Sequence, residues 1–269
     1  MNPHPSEVAP RPNDTLARYP DQVGRLDLEK LPKHIAFIMD GNRRWAKERN
    51  QHALMGHREG VKTIREIAET ALDINLLVPV EEHRIQHLTF YAFSKENWFR
   101  PVPEVSGLME IFRAAAMEEI RNLHERNIRV RIIGDPAELP AGTFAAIQDI
   151  VDLTRDNTGL TMNFALSYSG REEIVKAVKR LAVDIERGVL DPDTITQEVF
   201  QKYLDTWDAP DPDFLIRTSG ERRISNFLLW QLAYTELWVT EEKWPDFTRG
   251  MFLDALLDFQ ARERRFGSQ

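Results

Sequence analysis

The chain has 269 residues, 42% hydrophobic and 29% charged, a balance that suits a globular protein able to fill a core. With 43 acidic and 35 basic residues its net charge is −8, which argues against a nucleic-acid surface as the main function. Cysteine is absent, so disulfides and thiolate metal sites are excluded. No apolar run approaches the ~20 residues that span a bilayer, and the N-terminus lacks a basic-then-apolar signal pattern, so a cytoplasmic protein is the expectation.

Residues 1–31 carry Pro3, Pro5, Pro10, Pro12 and Pro20 among scattered charges with no periodicity. That composition reads as a flexible leader, with the ordered domain over 32–269. Strand and helix patterns then alternate. An apolar run at 35–39 predicts a buried strand that stops at Asp40-Gly41-Asn42. A helical pattern follows at 60–74, then a segment at 75–84 that reads as a surface insertion, then a strand at 87–94. The helix predicted at 105–126 places Val105, Leu108, Met109, Phe112, Ala116, Ile120 and Leu123 on one face. Strands at 128–134 and 160–168 flank a helix at 143–156. Helices at 172–187 and 196–204, strands at 214–218 and 237–240, and a helix at 251–262 complete the pattern. The alternation predicts a single α/β domain with a mostly parallel central sheet flanked by helices.

Polar residues gather directly after three predicted strands. The first group is Asp40, Gly41, Asn42, Arg43, Arg44 and Trp45. The second runs from Ser94 through Lys95, Glu96, Asn97 and Trp98 to Arg100. The third holds Arg217, Gly220, Arg222, Arg223, Ile224 and Ser225. In a parallel sheet these strand ends share one edge, where ligands of open α/β folds bind. An Asp-Gly-Asn turn alone could simply cap a helix. Six arginines at one edge exceed structural pairing, and arginine suits bidentate phosphate binding. Asp40 and Glu236 are carboxylates able to hold Mg2+ beside a phosphorylated ligand. No GxxxxGK[ST], GxGxxG or HExxH accompanies them. Trp45, Tyr91, Phe93, Trp98 and Phe99 lie close to the arginines, so an amphiphile with a charged head fits better than a wholly polar ligand.

Five stretches in order, HIAFIMDGNRRWAK, GHREG, TFYAFSKENWFRP, IRTSGERRISNFLLWQ and YTELWVTEEKWPDF, resemble the cis-prenyltransferase family over roughly residues 31–265. The resemblance implies a homodimeric α/β enzyme that condenses isopentenyl diphosphate with an allylic diphosphate, using Mg2+. It implies Asp40 as the essential acid engaging Mg2+ and diphosphate, with Gly41, Asn42, Arg43, Arg44 and Trp45 as the allylic-substrate loop. His57 becomes a phosphate-side residue, and Ser94, Lys95, Glu96, Asn97, Trp98 and Arg100 a substrate segment with Asn97 at the proton-handling position. Arg217, Arg223, Ile224 and Ser225 match the isopentenyl diphosphate pocket. Glu236 matches a metal ligand that the partner subunit could supply. A neutral amide is a poor base, so Asn97 is expected to orient groups while a phosphate oxygen takes the proton.

The pattern departs at Ala53, where the family usually has arginine, and at Arg222, where it often has histidine. Either Arg49 or His52 replaces the missing contact at Ala53, or allylic binding is weaker. The expected product is an undecaprenyl-type lipid carrier, which brings peripheral membrane contact into view. The alternatives are a short-chain Z-prenyl diphosphate, a non-catalytic partner subunit, and a Mg2+-dependent phosphohydrolase. Retention of Asp40, Asn97 and the arginines speaks against the partner subunit.

Overall fold

The computed structural model describes residues 16–262. One six-stranded sheet runs in the order β3-β4-β2-β1-β5-β6, and every neighbouring pair is parallel. Its strands are β1 (His34–Ile38), β2 (His87–Ser94), β3 (Arg129–Gly134), β4 (Thr161–Tyr168), β5 (Phe214–Arg217) and β6 (Glu236–Val239). All five residues of β1 are buried, as a central parallel strand covered on both faces requires. The alternating apolar pattern therefore gives way to an unbroken run there.

The helices are α1 (Pro20–Arg25), α2 (Asn42–Glu48), α3 (Ala53–Leu77), α4 (Val102–Glu125), α5 (Ala141–Thr154), α6 (Gly170–Glu186), α7 (Gln197–Gln201) and α8 (Arg249–Gln260). Residues of alternate parity along each strand feed opposite faces. Ile35 and Phe37 join Leu88, Phe90, Ile67, Trp244 and Phe252 in the core beneath α3 and α8. Ala36 and Ile38 face the other way, against Leu215, Tyr168, Phe227 and Leu228. Phe93, Val130 and Leu166 pack against Val105, Leu108 and Met109 of α4 and Ile147 and Ile150 of α5.

Four expectations change. Residues 16–31 are not a loose leader: Leu16, Leu26 and Leu31 are buried, and the Gln22 amide donates to Gly250 O at 3.1 Å and Asp254 Oδ1 at 2.7 Å on α8. Pro20 sits in the first turn of α1, where its missing N–H costs nothing, so proline content there marks a helix start. Residues 1–15 of the expected leader lie outside the described residues. The segment 75–84 is a surface turn only in part: residues 79–82 are exposed, but what precedes them belongs to the helix and core. Asn75 to Leu77 finish α3, Val78 is buried, and the Asn75 side chain brackets Ile85, donating to its O at 2.8 Å and accepting from its N–H at 2.9 Å. Finally, α2 forms where a loop was expected, and α7 is shorter than 196–204.

Candidate active site

Strands β2, β1 and β5 lie side by side and parallel, so their C-terminal ends deliver the three polar groups to one place. Ile38 stands opposite Arg217 in the register, and Asp40 follows two residues later. Gly41 then turns the chain at φ +100°; a Cβ there would meet Ser219 Oγ at 2.8 Å and Lys243 Cβ at 2.9 Å. Only glycine fits that corner. Helix α2 begins at once and lies so close to α3 that a Cβ on Gly56 would strike Asn42 O at 2.0 Å.

Asp40 and Arg217 form the hinge of the site. The Arg217 side chain is 3% exposed and donates to Asp40 Oδ2 at 2.9 Å, to Ser225 Oγ at 2.9 Å and to Arg223 O. Arg44 pairs with the other Asp40 oxygen at 3.2 Å, which also accepts the Gly41 N–H at 2.7 Å. Burial pushes the Asp40 carboxyl upward, but the Arg217 and Gly41 hydrogen bonds and the Arg44 and Arg217 charges outweigh it and hold the carboxyl below its usual value. It is an anion at neutral pH. Beyond β5 the chain enters strained backbone: Ser219, Ser225, Asn226 and Leu228 all have positive φ, at 75°, 49°, 62° and 44°. Non-glycine residues in that region concentrate at sites that need a fixed shape.

The second polar group is a single turn after β2, spanning Lys95–Phe99 and held by a reciprocal cap between Ser94 and Asn97; the Asn97 Oδ1 accepts the Ser94 N–H at 3.1 Å. Glu96 accepts from the Asn226 amide at 3.1 Å, tying this turn to the loop after β5. Arg100 and Arg43 both lean on Glu104, at 3.3 and 3.5 Å. Glu104 is buried and was not anticipated; its signal is the i,i+4 spacing after Arg100 at the start of α4. An incoming phosphate would compete with this carboxylate for two guanidinium groups. His57 lies nearby with its Nε2 buried and unpartnered. Burial, then the Arg100 and Arg43 charges, depress its pKa to about 4, so it is neutral at physiological pH.

Under these groups lies a cavity of about 730 Å³. Asp40, Asn42, His57, Arg100, Arg217 and Arg223 line its charged end, with Ser94, Glu96, Asn97 and Ser225. Its walls are Ala92 of β2, Phe164 and Leu166 of β4, and Leu108, Ile111 and Phe112 of α4. The β2–β4 pairing shifts register between Tyr91 and Phe93 and again between Phe93 and Ser94. Such irregularities re-aim side chains next to functional sites, and here they place Ala92 in the wall.

Other expected residues fall elsewhere. Lys95 pairs with Glu138 and, at 3.2 Å, Glu172. Trp98 donates its indole N–H to Ser167 Oγ at 2.8 Å, and Trp45 donates to Asp246 Oδ1 at 2.7 Å; neither lines the cavity. Ile224 packs beneath the loop. Glu236 opens β6 opposite Phe214, one strand length back from Arg217 (about 10 Å at ~3.3 Å per residue), and pairs with Arg262 at 2.9 Å. A single chain therefore does not bring Glu236 to Asp40. At the Ala53 departure, neither expected substitute is available. Arg49 stacks on Trp45 at 4.2 Å and pairs with Asp246 at 3.1 Å, while His52 Nδ1 accepts the Leu54 N–H at the start of α3. Arg222 is exposed. Trp244 is a buried packing residue, whereas Trp207 is 60% exposed.

Among the described residues no group of three His, Asp or Glu side chains is arranged to hold a metal. Mg2+ commonly binds through one or two carboxylates plus substrate phosphates. Asp40, partly exposed at the cavity, fits an ion that arrives with its diphosphate. No described helix is long and apolar enough to cross a membrane.

Fold and site together define a class: an α/β enzyme whose cationic, carboxylate-bearing sheet edge opens onto an apolar cavity. A family model described as "Putative undecaprenyl diphosphate synthase" matches residues 38–267. An isoprenyl transferase of Geobacter sulfurreducens is 48% identical over 239 residues, 89% of this chain and 94% of that one. One from Clostridium tetani is 46% identical over 243 residues, covering 90% and 92%. Lavandulyl diphosphate synthase from Lavandula x intermedia, solved with dimethylallyl diphosphate, superposes with a TM-score of 0.83 at 37% identity, covering 88% of this chain and 99% of that chain. A probable undecaprenyl diphosphate synthase from Campylobacter jejuni gives 0.71 at 32%, with the same coverage. The chain belongs to the cis-prenyltransferase family, and it is an enzyme of the isoprenyl transferase type.

Proposed function

We propose that this enzyme condenses isopentenyl diphosphate with an allylic diphosphate, farnesyl diphosphate being the expected primer, to make a Z-polyprenyl diphosphate of the undecaprenyl carrier type. The observation that carries this reading is the junction of a guanidinium-rich edge with an apolar cavity of about 730 Å³. Diphosphate and hydrocarbon are then recognised at opposite ends. A phosphohydrolase would leave the apolar wall without a task, and it is not favoured.

In this reading the allylic diphosphate sits between Asn42, Arg43, Arg44 and His57, and isopentenyl diphosphate between Arg217, Arg223 and Ser225. Asp40 would hold Mg2+ together with the diphosphate, and the ion would supply positive charge to the leaving group. The allylic C–O bond breaks and its electron pair stays on the diphosphate. Guanidinium groups fixed beforehand stabilise that charge without reorganisation. Displacing Glu104 from Arg43 and Arg100 would free both for this purpose. The alkene of isopentenyl diphosphate then forms the new C–C bond, and one proton leaves to a phosphate oxygen. Asn97, whose Oδ1 is occupied by the Ser94 N–H, orients the 95–99 turn. Glu236 would enter a neighbouring site from the partner subunit of a homodimer, and the lipid product would bring peripheral membrane contact.

A short-chain product is the second reading, favoured by charged side chains on the far wall of the cavity. Incubation with labelled isopentenyl diphosphate, farnesyl diphosphate and Mg2+ tests both, with chain length resolved chromatographically. Elongated Z-prenyl diphosphate is expected; phosphate release without chain growth contradicts the proposal.

A further inference from the structure

The cavity wall does not stay apolar along its length. On α3 it runs from His57 past Ile64 to Arg65 and Glu69, and on α4 from Leu108 to Glu119, Asn122 and Arg126. At ~1.5 Å rise per residue, Arg65 lies about 12 Å and Glu69 about 18 Å along α3 from His57. There the two helices are tied by side chains. Arg65 pairs with Glu119 and, at 3.2 Å, with Glu118. The Asn122 amide donates to Glu119 Oε2 at 3.0 Å, and its Oδ1 accepts from Arg126 Nε at 3.0 Å. Arg126 reaches back to Glu69 at 3.6 Å, and Glu69 is held by Arg249 of α8 at 2.7 Å. Seven linked side chains thus strap α3, α4 and α8 across the far part of the cavity.

The site chemistry has no use for these charges, and an apolar wall would be simpler to build. Glu119 is 14% exposed, and the Nε of Arg65 is buried with no partner. A hydrocarbon pushed between α3 and α4 has to part these ions and leave them facing methylene groups. Separating one member of a partly buried pair is far costlier than replacing the whole pair by apolar side chains. We propose that this network is the stop that sets product length, closing the gap between α3 and α4 against the growing chain. The inference rests on the prenyl-elongation reading and names the residues that fix its product.

The test compares product-length distributions from labelled isopentenyl diphosphate and farnesyl diphosphate, with the first condensation measured separately as the control. The double variant Arg65→Leu with Glu119→Leu replaces the pair by apolar groups and should shift the distribution toward longer chains. The exchange variant Arg65→Glu with Glu119→Arg restores a pair and should return it toward the wild-type length. Should the double variant fail to fold, Glu119→Gln discharges the pair at constant size and should shift the distribution the same way. A folded double or Glu119→Gln variant with normal first condensation and the wild-type distribution overturns the stop while leaving the elongation reading standing. Wild-type enzyme that makes no elongated product overturns both.

Discussion

Arg217→Ala removes the side chain on which the site is hung. The guanidinium is almost fully buried and makes contacts to three residues, the Asp40 carboxylate, the Ser225 hydroxyl and the Arg223 carbonyl. Breaking a buried pair by deleting one partner costs about 3–5 kcal/mol. Asp40 keeps Arg44 and the Gly41 N–H and is 30% exposed, so the lower end, about 3 kcal/mol, applies. For a chain of this size that corresponds to a fall in Tm of about 6–12 °C. The loop bearing Arg223 and Ser225 loses its anchor at the same time. A lost charge-assisted contact of ~1.5–3 kcal/mol predicts a roughly 10- to 150-fold drop in kcat/KM for isopentenyl diphosphate. Arg217→Lys keeps the charge but cannot span all three acceptors, so it should fall between. Differential scanning calorimetry and steady-state elongation read the two effects. A Tm within about 2 °C of wild type together with an unchanged kcat/KM would refute the assigned role of Arg217.

Two further outcomes follow from named contacts. Asn97→Ala frees the Ser94 N–H and frays the 95–99 turn; a cap worth ~0.5–2 kcal/mol predicts roughly 2- to 30-fold slower elongation. The primary isotope effect with isopentenyl diphosphate deuterated at the departing position should match wild type, and a changed isotope effect would put the amide into the proton transfer. His34, fully buried at the opposite end of β1, has its pKa depressed to about 4, chiefly by burial, and bonds Pro210 O and Thr89 Oγ1. Its folded pKa lies below the unfolded value, so its contribution is complete above pH ~6.5 and lost as pH falls toward 4, at about 1.4 kcal/mol per pH unit for one proton. Urea unfolding between about pH 7 and pH 5 should show this slope, and His34→Gln should lessen it by one proton's share while His57 and His87, also depressed to about 4 chiefly by burial, keep theirs; identical pH dependence in the two proteins would contradict the assignment.

Much of the architecture was legible because parallel strands buried on both faces leave unbroken apolar runs. The predicted strand 87–94 coincides with β2, and the other strands agree within one residue at each end. The three polar groups also followed, because strand ends in a parallel sheet must converge. What escaped the sequence depends on contacts between distant segments. Asn42–Glu48 is two turns long with no apolar stripe of its own; it is stabilised by the close approach of Gly56 and by Trp45 reaching Asp246. Glu236 looks like a companion of Asp40 until the β5–β6 register puts it at the wrong end of its strand. Glu104 reads as an ordinary first-turn acid until the fold folds Arg43 over it. Pro20 looks like leader, yet its helix is held by Gln22 bonding to α8.

If the carboxylate after β1 and the arginines around it drive departure of an allylic diphosphate, the chemical step depends on the charge of Asp40. Single-turnover elongation by Asp40→Asn, with folding checked by circular dichroism, tests it most directly. The variant should fold, with its chemical step slowed by about 10²–10³-fold, the loss typical of removing one preorganised electrostatic group. A folded Asp40→Asn enzyme that elongates at the wild-type rate would contradict it.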